Sequence, residues 1–284
     1  MRLKLAHLAA AILIFGAAFA PAVSAQNPDT MMPEESTAKA KQIVQQLIEA
    51  LGGPAYLGVR ESECDGRRAN FGHNGELTGY IEIKNYRRYP DKSRTDFSKK
   101  GNIVDIFNGD RGWTLDRGGV SEEPATSVAE FQEQVKRNID NLLRFRLKED
   151  GLSFRYAGSD TVDLRQVDWV EITDREERTY RLAVDRSSHL LLHSVVITND
   201  ETTRQRAEDL VIYSNYQPKD GVVTPLQISR ERDGRRTTQF FYDNCKYNSG
   251  LPDDLFTRAS LEKRGFQLGS AKKDKKIDKN IDRD

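Results

Sequence analysis

The stretch from Tyr80 to Leu115, YIEIKNYRRYPDKSRTDFSKKGNIVDIFNGDRGWTL, constrains the fold more than any other part of the chain. It reads as extended segments separated by Tyr89-Pro90-Asp91 and by Asn108-Gly109-Asp110. Proline fixes φ, and Asn-Gly accepts the positive φ of a tight hairpin turn, so three extended segments follow one another as a twisted antiparallel meander. Nothing in the stretch supplies a nucleophile–base pair or a metal cluster. Any function must come from the surface that the meander builds.

The second half of the chain has the same character. After Gly151 the sequence predicts strands at Ser153 to Tyr156, Val162 to Ile172, Arg178 to Asp185, Leu190 to Thr198, Arg206 to Tyr216, Val222 to Arg232 and Arg235 to Tyr247. Turn chemistry separates them, at Asp200-Glu201, Lys219-Asp220-Gly221 and Asp233-Gly234. In Leu190 to Ile197 both faces are apolar, which predicts a strand covered on both sides. With Asn70 to Ile83 and the meander the total is about ten strands, enough that an open twisted sheet should curl.

Two helices interrupt this pattern. Ile43, Val44, Leu47, Ile48 and Leu51 recur at helical spacing from Glu35 to Leu51, with Ser36 or Thr37 as N-cap and Gly52-Gly53 as the stop. A second amphipathic helix is predicted from Pro124 to Phe145, where Phe131, Val135, Ile139, Leu142 and Leu143 share a face. It follows Gly118-Gly119, a hinge-like pair, and lies between the strand-rich halves. A helix in that place covers the sheet, permanently or as a lid.

The first 25 residues have the parts of a cleavable secretory signal: Arg2 and Lys4, an apolar run from Leu8 to Phe19, and Val23-Ser24-Ala25 before the cut. Gln26 follows, where a lipoprotein signal would place cysteine, so the expected location is the periplasm without a lipid anchor. Losing Arg2 and Lys4 leaves 42 basic against 44 acidic residues, and a near-neutral chain gives no electrostatic case for nucleic acid. The predicted organisation is a signal at 1–25, a flexible segment at 26–34, one domain at 35–268 and a disordered charged tail at 269–284.

Candidate chemistry is sparse. Cys64 and Cys245 are an even pair in an oxidising compartment; the sequence permits a disulfide between them without requiring it. His189 and His193 are four apart, but on a strand that is about 13 Å, too far for shared metal ligation. His73 reads as a turn residue. The paired carboxylates Glu122-Glu123, Glu176-Glu177 and Asp253-Asp254 point to opposite faces if extended and so build no acid–base pair. No nucleophile-elbow, zinc-helix, dinucleotide or phosphate-loop motif occurs, and neither catalytic residues nor a cofactor are predicted. The doubled arginines Arg67-Arg68, Arg87-Arg88 and Arg235-Arg236 should each split between faces. Arg88 and Arg94 are the candidates for a polar rim that meets a phosphate or carbonyl head group.

These residues carry a resemblance. Arg88-Tyr89-Pro90, a strand entered near Arg94, then Phe107-Asn108-Gly109-Asp110, Trp113-Thr114-Leu115 and an amphipathic helix resemble the LolA family of periplasmic lipoprotein carriers and their outer-membrane lipoprotein-sorting relatives. Tyr180 to Val184, Leu190 to Thr198, Asp209 to Tyr216 and Leu251-Pro252-Asp253-Asp254-Leu255-Phe256 follow in the order of that family. The arginine before the proline is displaced by one residue, and the hairpin from Asp220 to Arg236 is additional.

The resemblance covers about residues 38 to 257 and implies a mainly β fold with helices: an incomplete, strongly curved antiparallel β-barrel, a half-barrel, covered by two or three helices. It implies a monomeric, non-enzymatic carrier of a lipid or lipid-modified protein, with transient contact to inner- and outer-membrane transport proteins. The cavity would be walled by Ile81, Ile83, Ile106, Phe107, Trp113 and Leu115, and lidded by Phe131, Val135, Ile139 and Leu142. A sensor of lipoproteins or envelope stress on the same fold, and a periplasmic hydrolase, are the alternatives.

Overall fold

A computed structural model describes residues 28–97, 101–199 and 206–265. The expected signal and charged tail lie outside the described residues. Within them, β1 (Glu61–Phe71), β2 (Leu77–Arg88), β3 (Lys92–Phe97), β4 (Ile103–Asn108), β5 (Arg111–Asp116) and β6 (Gly119–Glu122) form one antiparallel meander. A second contains β7 (Ser153–Val162), β8 (Arg165–Thr173), β9 (Thr179–Asp185), β10 (Leu191–Asn199), β11 (Arg206–Lys219), β12 (Val222–Arg232) and β13 (Arg235–Tyr247). Antiparallel pairing of β1 with β13 fuses the two into a single 13-stranded sheet. Its edges, β6 and β7, do not pair with each other, so the barrel is incomplete. The chain between those two edges is the helical crossover.

Turn chemistry decided where strands begin and end. The Tyr80–Leu115 stretch holds parts of four strands rather than three segments, because β3 and β4 are separate. The strand expected over Val162 to Ile172 starts later, as β8 at Arg165: Val162 ends β7, and between them is a hairpin tip where Asp163 and Leu164 take φ of 48° and 63°. Non-glycine residues rarely adopt that region, so Asp163-Leu164 carries no local turn signal. Gly118-Gly119 is not a hinge: it turns β5 into the short β6, with Gly119 at φ 111° and the Gly118 N–H donating to Asp116 Oδ1 at 2.7 Å. Asp233-Gly234, at φ 49° and 74°, closes β12 onto β13 as expected.

The first long helix, α1, runs Pro33–Ala50 and is followed by the short α2, Pro54–Leu57. It ends at the expected glycines, with Gly52 at φ 122° and Gly53 at φ 54°. Its start differs, since Met32 occupies the cap position and Ser36 is buried one turn inside. A β-bulge between Tyr156 and Ser159 interrupts the β7–β8 ladder, and on the outer edge of β7 the Tyr156 N–H donates to Ser36 Oγ at 3.0 Å. Thr37 Oγ1 donates to the Phe154 carbonyl at 3.1 Å. The two candidate caps therefore tie α1 to β7, satisfying backbone groups that an edge strand leaves without a strand partner. The segment before α1 is a 3-10 turn at Pro28–Thr30, and Met31 packs against the core.

The second predicted helix is broken. α3 spans Ala125–Arg137; Asn138 is extended at ψ 122°; α4 is Ile139–Asn141 and runs into a π-helical turn at Leu142–Arg146. Asn138 Oδ1 accepts from the Asn141 N–H at 2.9 Å, capping the new turn. Asn141 Nδ2 donates to the carbonyls of Val135 and Pro90, both at 3.0 Å, and so fixes the break against the meander. The break turns Leu142 and Leu143 into the main core, which α1 forms with Tyr156, Val170, Ile172, Tyr180 and Leu182.

Two smaller cores lie on the other face of the sheet. Val104, Ile106, Trp113 and Leu115 pack beneath Leu251, Phe256 and Leu261 of the C-terminal segment. Val167, Ala183 and Leu192 form the other. Leu191 and Leu192 are both buried, on opposite faces, as the two apolar faces of that run predicted.

Cys64 and Cys245 are directly opposite in the β1–β13 register and form a disulfide across a Cα separation of 4.1 Å. The bridge links residues 181 apart in sequence and restricts the unfolded chain accordingly. Reducing it, or replacing both cysteines with alanine, should cost about 2–4 kcal/mol. The check is the urea midpoint, which should fall by the same amount in the reduced protein and in the double variant.

Candidate functional site

Strand alternation gives the sheet an inner face, toward the crossover, and an outer face. Ile83, Asn85 and Arg87 on β2 lie opposite Gly66, Cys64 and Ser62 on β1 and opposite Phe97, Thr95 and Ser93 on β3. Phe107 and Asp105 continue the row on β4. Between this face and the crossover is a cavity of about 620 Å³. That is within the range of small-molecule sites, roughly 300–1,000 Å³.

Of the ten apolar residues expected around a cavity, Ile83, Phe107, Phe131, Val135 and Ile139 line this one. The Phe131 ring on α3 stacks on Phe107 with centroids 4.6 Å apart, closing one side. Ile106, Trp113 and Leu115 do not line it: Ile106 pairs with Trp113, and both turn outward into the core under the C-terminal segment. Ile106 and Phe107 are neighbours on one strand, so alternation forbids them a common wall. Leu142 is fully buried in the main core, and Ile81, one pair beyond Ile83, is outside the lining.

The two arginines expected at the rim are on the outer face. Arg88 donates to Asp253 at 2.9 Å and to the Leu251 carbonyl, and lies 3.5 Å from Glu61. Arg94 is buried, held bidentately by Asp96 and donating to the Leu255 carbonyl and Ser260 Oγ, each at 3.2 Å. Both clamp the C-terminal segment to the outer face. The arginines that do line the cavity are Arg87, one residue away, Arg68, Arg230 and Arg232 on other strands, and Arg137 and Arg144 on the crossover. Period-two alternation from Ile83 through Asn85 would have reached Arg87 rather than Arg88.

Tyrosines are the larger omission. Tyr56, Tyr89, Tyr213, Tyr216, Tyr242 and Tyr247 all line the cavity. Tyr56 donates to Asp140 at 2.9 Å, Tyr216 donates to the Leu191 carbonyl at 2.6 Å, and Tyr213 and Tyr247 share hydrogen bonds with Ser194 and Thr224 at 3.1 and 2.9 Å. With hydroxyls held in the wall, Tyr56, Tyr213, Tyr216 and Tyr247 present ring carbon to the cavity. Burial pushes Tyr213 up to about 12, so the hydroxyl stays neutral. Arg144 lies between the rings of Tyr56 and Tyr89, 4.3 and 4.8 Å from their centroids, and 3.4 Å from Asp140. This stack joins the crossover to the sheet.

No group of side chains suited to a metal ion occurs among the described residues. His193 Nε2 is 2.9 Å from Asp163 Oδ2, a hydrogen-bonded role, and His189 sits at φ 57° before β10. The acids around the cavity are engaged: Asp140 with Arg144, Glu130 with Arg137, Asp209 with Arg137 and Arg232, and Glu231 with Arg236. Asp105 accepts from the Thr114 hydroxyl.

The crossover is fixed unevenly. α3 has no fully buried side chain, whereas Ile139, Leu142 and Leu143 after the break are buried. At the break Arg137 reaches Asp209 on β11 at 2.9 Å. Beside it, Asp174 accepts from Arg178 Nη1 at 2.6 Å and from Arg146 Nη2 at 3.3 Å, while Tyr180 donates to the Lys136 carbonyl at 2.8 Å. Burial would raise the Asp174 pKa, but the Arg178 N–H and the guanidinium groups of Arg178 and Arg146 outweigh it and hold the carboxyl below its ordinary value.

No protein-family model matches the sequence, and no curated protein matches it significantly. Solved structures do match. A DUF1329 family protein from Desulfovibrio piger is 16% identical, with a TM-score of 0.56 over 78% of this chain and 98% of its own. An outer membrane lipoprotein-sorting protein domain from Vibrio parahaemolyticus is 11% identical, with a TM-score of 0.51 over 80% of this chain and 99% of its own. A LolA superfamily protein from Nitrosomonas europaea is 13% identical, with a TM-score of 0.50 over 78% of this chain and 99% of its own. The chain has a LolA-like fold: an incomplete antiparallel barrel with a helical crossover at its open side.

Two outcomes follow from how the crossover is held. Phe131→Ala removes a stacked ring pair worth about 0.5–1.5 kcal/mol, so amide exchange across 125–137 should quicken about 2–10-fold while the sheet is unaffected. Because the folded-state pKa of Asp174 is depressed, its anchor stabilises the fold above the ordinary pKa of 3.8 and is lost as pH falls below it. Acid titration followed by melting temperature should show this loss in the native protein and a flatter acid limb in Asp174→Asn.

Proposed function

We propose that this chain is a carrier that shields the acyl chains of a lipid or lipid-modified protein as they cross the periplasm. The observation that carries the reading is the cavity of about 620 Å³ between the inner face and a helix, α3, none of whose side chains is fully buried. Each methylene moved from water into such a space gains about 0.8 kcal/mol. An amphiphile crossing water unaided forgoes that gain, so a protein wall around its chains is what makes the transfer feasible.

The architecture supports opening and closing without unfolding. The sheet and the α4 end of the crossover are fixed by the main core, so α3 can swing about the extended Asn138 and part Phe131 from Phe107. A LolA superfamily protein and a lipoprotein-sorting protein domain are among the structures that share the fold, which is consistent with this reading. Donor and acceptor proteins in the inner and outer membranes would be its transient partners, with the protein acting as a monomer. The acids around the cavity are tied to arginines or to a threonine hydroxyl rather than converging on open space, which favours binding over hydrolysis.

The test is native mass spectrometry of the full-length protein secreted in its own host, with lipid extraction of the same sample. The expected result is one co-purifying acyl lipid or lipidated polypeptide per chain. Protein that is empty and that also fails to take up a fluorescent fatty acid would sink the proposal.

A further inference from the structure

The cavity is not uniformly apolar, and its polar part is one-sided. Arg87 on β2 has no ion pair or hydrogen-bond acceptor among the described residues, although it lines the cavity. Arg230 on β12 also lines it; its Nε is buried without an acceptor, and its guanidinium sits 5.5 Å from the centroid of Phe240. Arg68 on β1 lies 5.0 Å from the centroid of Phe97, again with a buried Nε that has no acceptor. Between these strands, Tyr242 accepts a hydrogen bond from Asn85 Nδ2 at 2.9 Å, which leaves its own O–H with no acceptor among the described residues. Every one of these groups is a donor with no hydrogen-bond acceptor among the described residues.

Such an arrangement is costly unless something completes it. Two guanidinium groups in one cavity repel each other, and a buried donor without an acceptor loses the hydrogen bond it made to water. Burial lowers the pKa of Arg230, and the charge of Arg87 lowers it further, which places the two within electrostatic reach. Arginine nonetheless remains charged at any physiological pH. Of the nearby acids, Asp105 offsets only Arg68, and Asp209 is already held by Arg137 and Arg232. An oxyanion would supply the missing acceptors, with charge-assisted bonds roughly twice as strong as neutral ones.

We propose that Arg87, Arg230 and the Tyr242 hydroxyl, with Arg68 beside them, form a site inside the cavity for the acidic head group of the ligand. This rests on the carrier reading and narrows it: the cargo is an anionic amphiphile carrying a carboxylate or phosphate. Its chain runs toward Leu143, Leu191 and Tyr216, which line the wall beyond the register of Arg230. A lipid with no anionic group leaves the arginines unmatched and binds less well.

The experiment compares a fluorescent long-chain fatty acid with its methyl ester, and both with inorganic phosphate alone, on the full chain with its disulfide intact. The acid should bind at least tenfold more tightly than the ester. Arg87→Gln and Arg230→Gln should each bring that ratio close to one, Arg87→Lys should restore part of it, and Arg67→Gln, exposed on the outer face, should leave it unchanged. Without ligand, the two glutamine variants should melt no lower than the native protein, because a repulsion is removed. Equal affinity for acid and ester overturns the head-group site while leaving the carrier reading standing; failure of both probes overturns both. Phosphate that raises the melting temperature while the acid gains nothing over the ester assigns the donors to a free anion and overturns the amphiphile. A kept ratio with a lowered melting temperature assigns the arginines to structure and overturns the site.

Discussion

The antiparallel pairing of β1 with β13 is the contact on which the rest depends. Without it the chain is two meanders, each with its own edges; with it, one sheet runs from β6 to β7, and the crossover spans the side left open between those edges. The pairing joins segments distant in sequence, and closing so long a loop is entropically unfavourable until the contacts within it form. The disulfide between Cys64 and Cys245 sits within that ladder and is itself part of the cavity wall. Fold and cavity therefore share one staple.

From that sheet, period-two alternation distributes the chemistry. Arg88 and Arg94 go outward to hold the C-terminal segment over the apolar residues Ile106, Trp113 and Leu115, sealing the outer face. Arg87 and Arg68 go inward, where tyrosine rings and a few aliphatic side chains make up the wall. Moving the register by one residue would exchange these sets. The inner face thereby combines ring carbon, which favours hydrocarbon, with a group of donors lacking acceptors.

Much of the architecture was legible in the residues. The strands over Val222–Arg232 and Arg235–Tyr247 and the glycine stop of α1 follow from turn chemistry and helical spacing, and the structure places them as expected. The break at Asn138 was not legible, because its cause is the reach of Asn141 to the carbonyl of Pro90, some fifty positions away in the chain. The hairpin at Asp163-Leu164 was hidden for another reason: a leucine at positive φ carries no turn signal. At the cavity, helical spacing puts Phe131, Val135 and Ile139 on one face and all three line it, while strand alternation parts Phe107 from Ile106.

By itself the sequence determined a β-rich chain of antiparallel hairpins with one amphipathic helix before the strands and another between the halves. Local rules suffice for that: proline and Asn-Gly fix turns, and spacing separates helix from strand. Only the tertiary structure decided that the two cysteines meet, that the crossover breaks at Asn138, and that Arg87, Arg68 and Arg230 rather than Arg88 and Arg94 look into the cavity. Each of those depends on register between strands distant in sequence. A one-residue choice of register is invisible to composition or periodicity, yet it settles which face every side chain occupies.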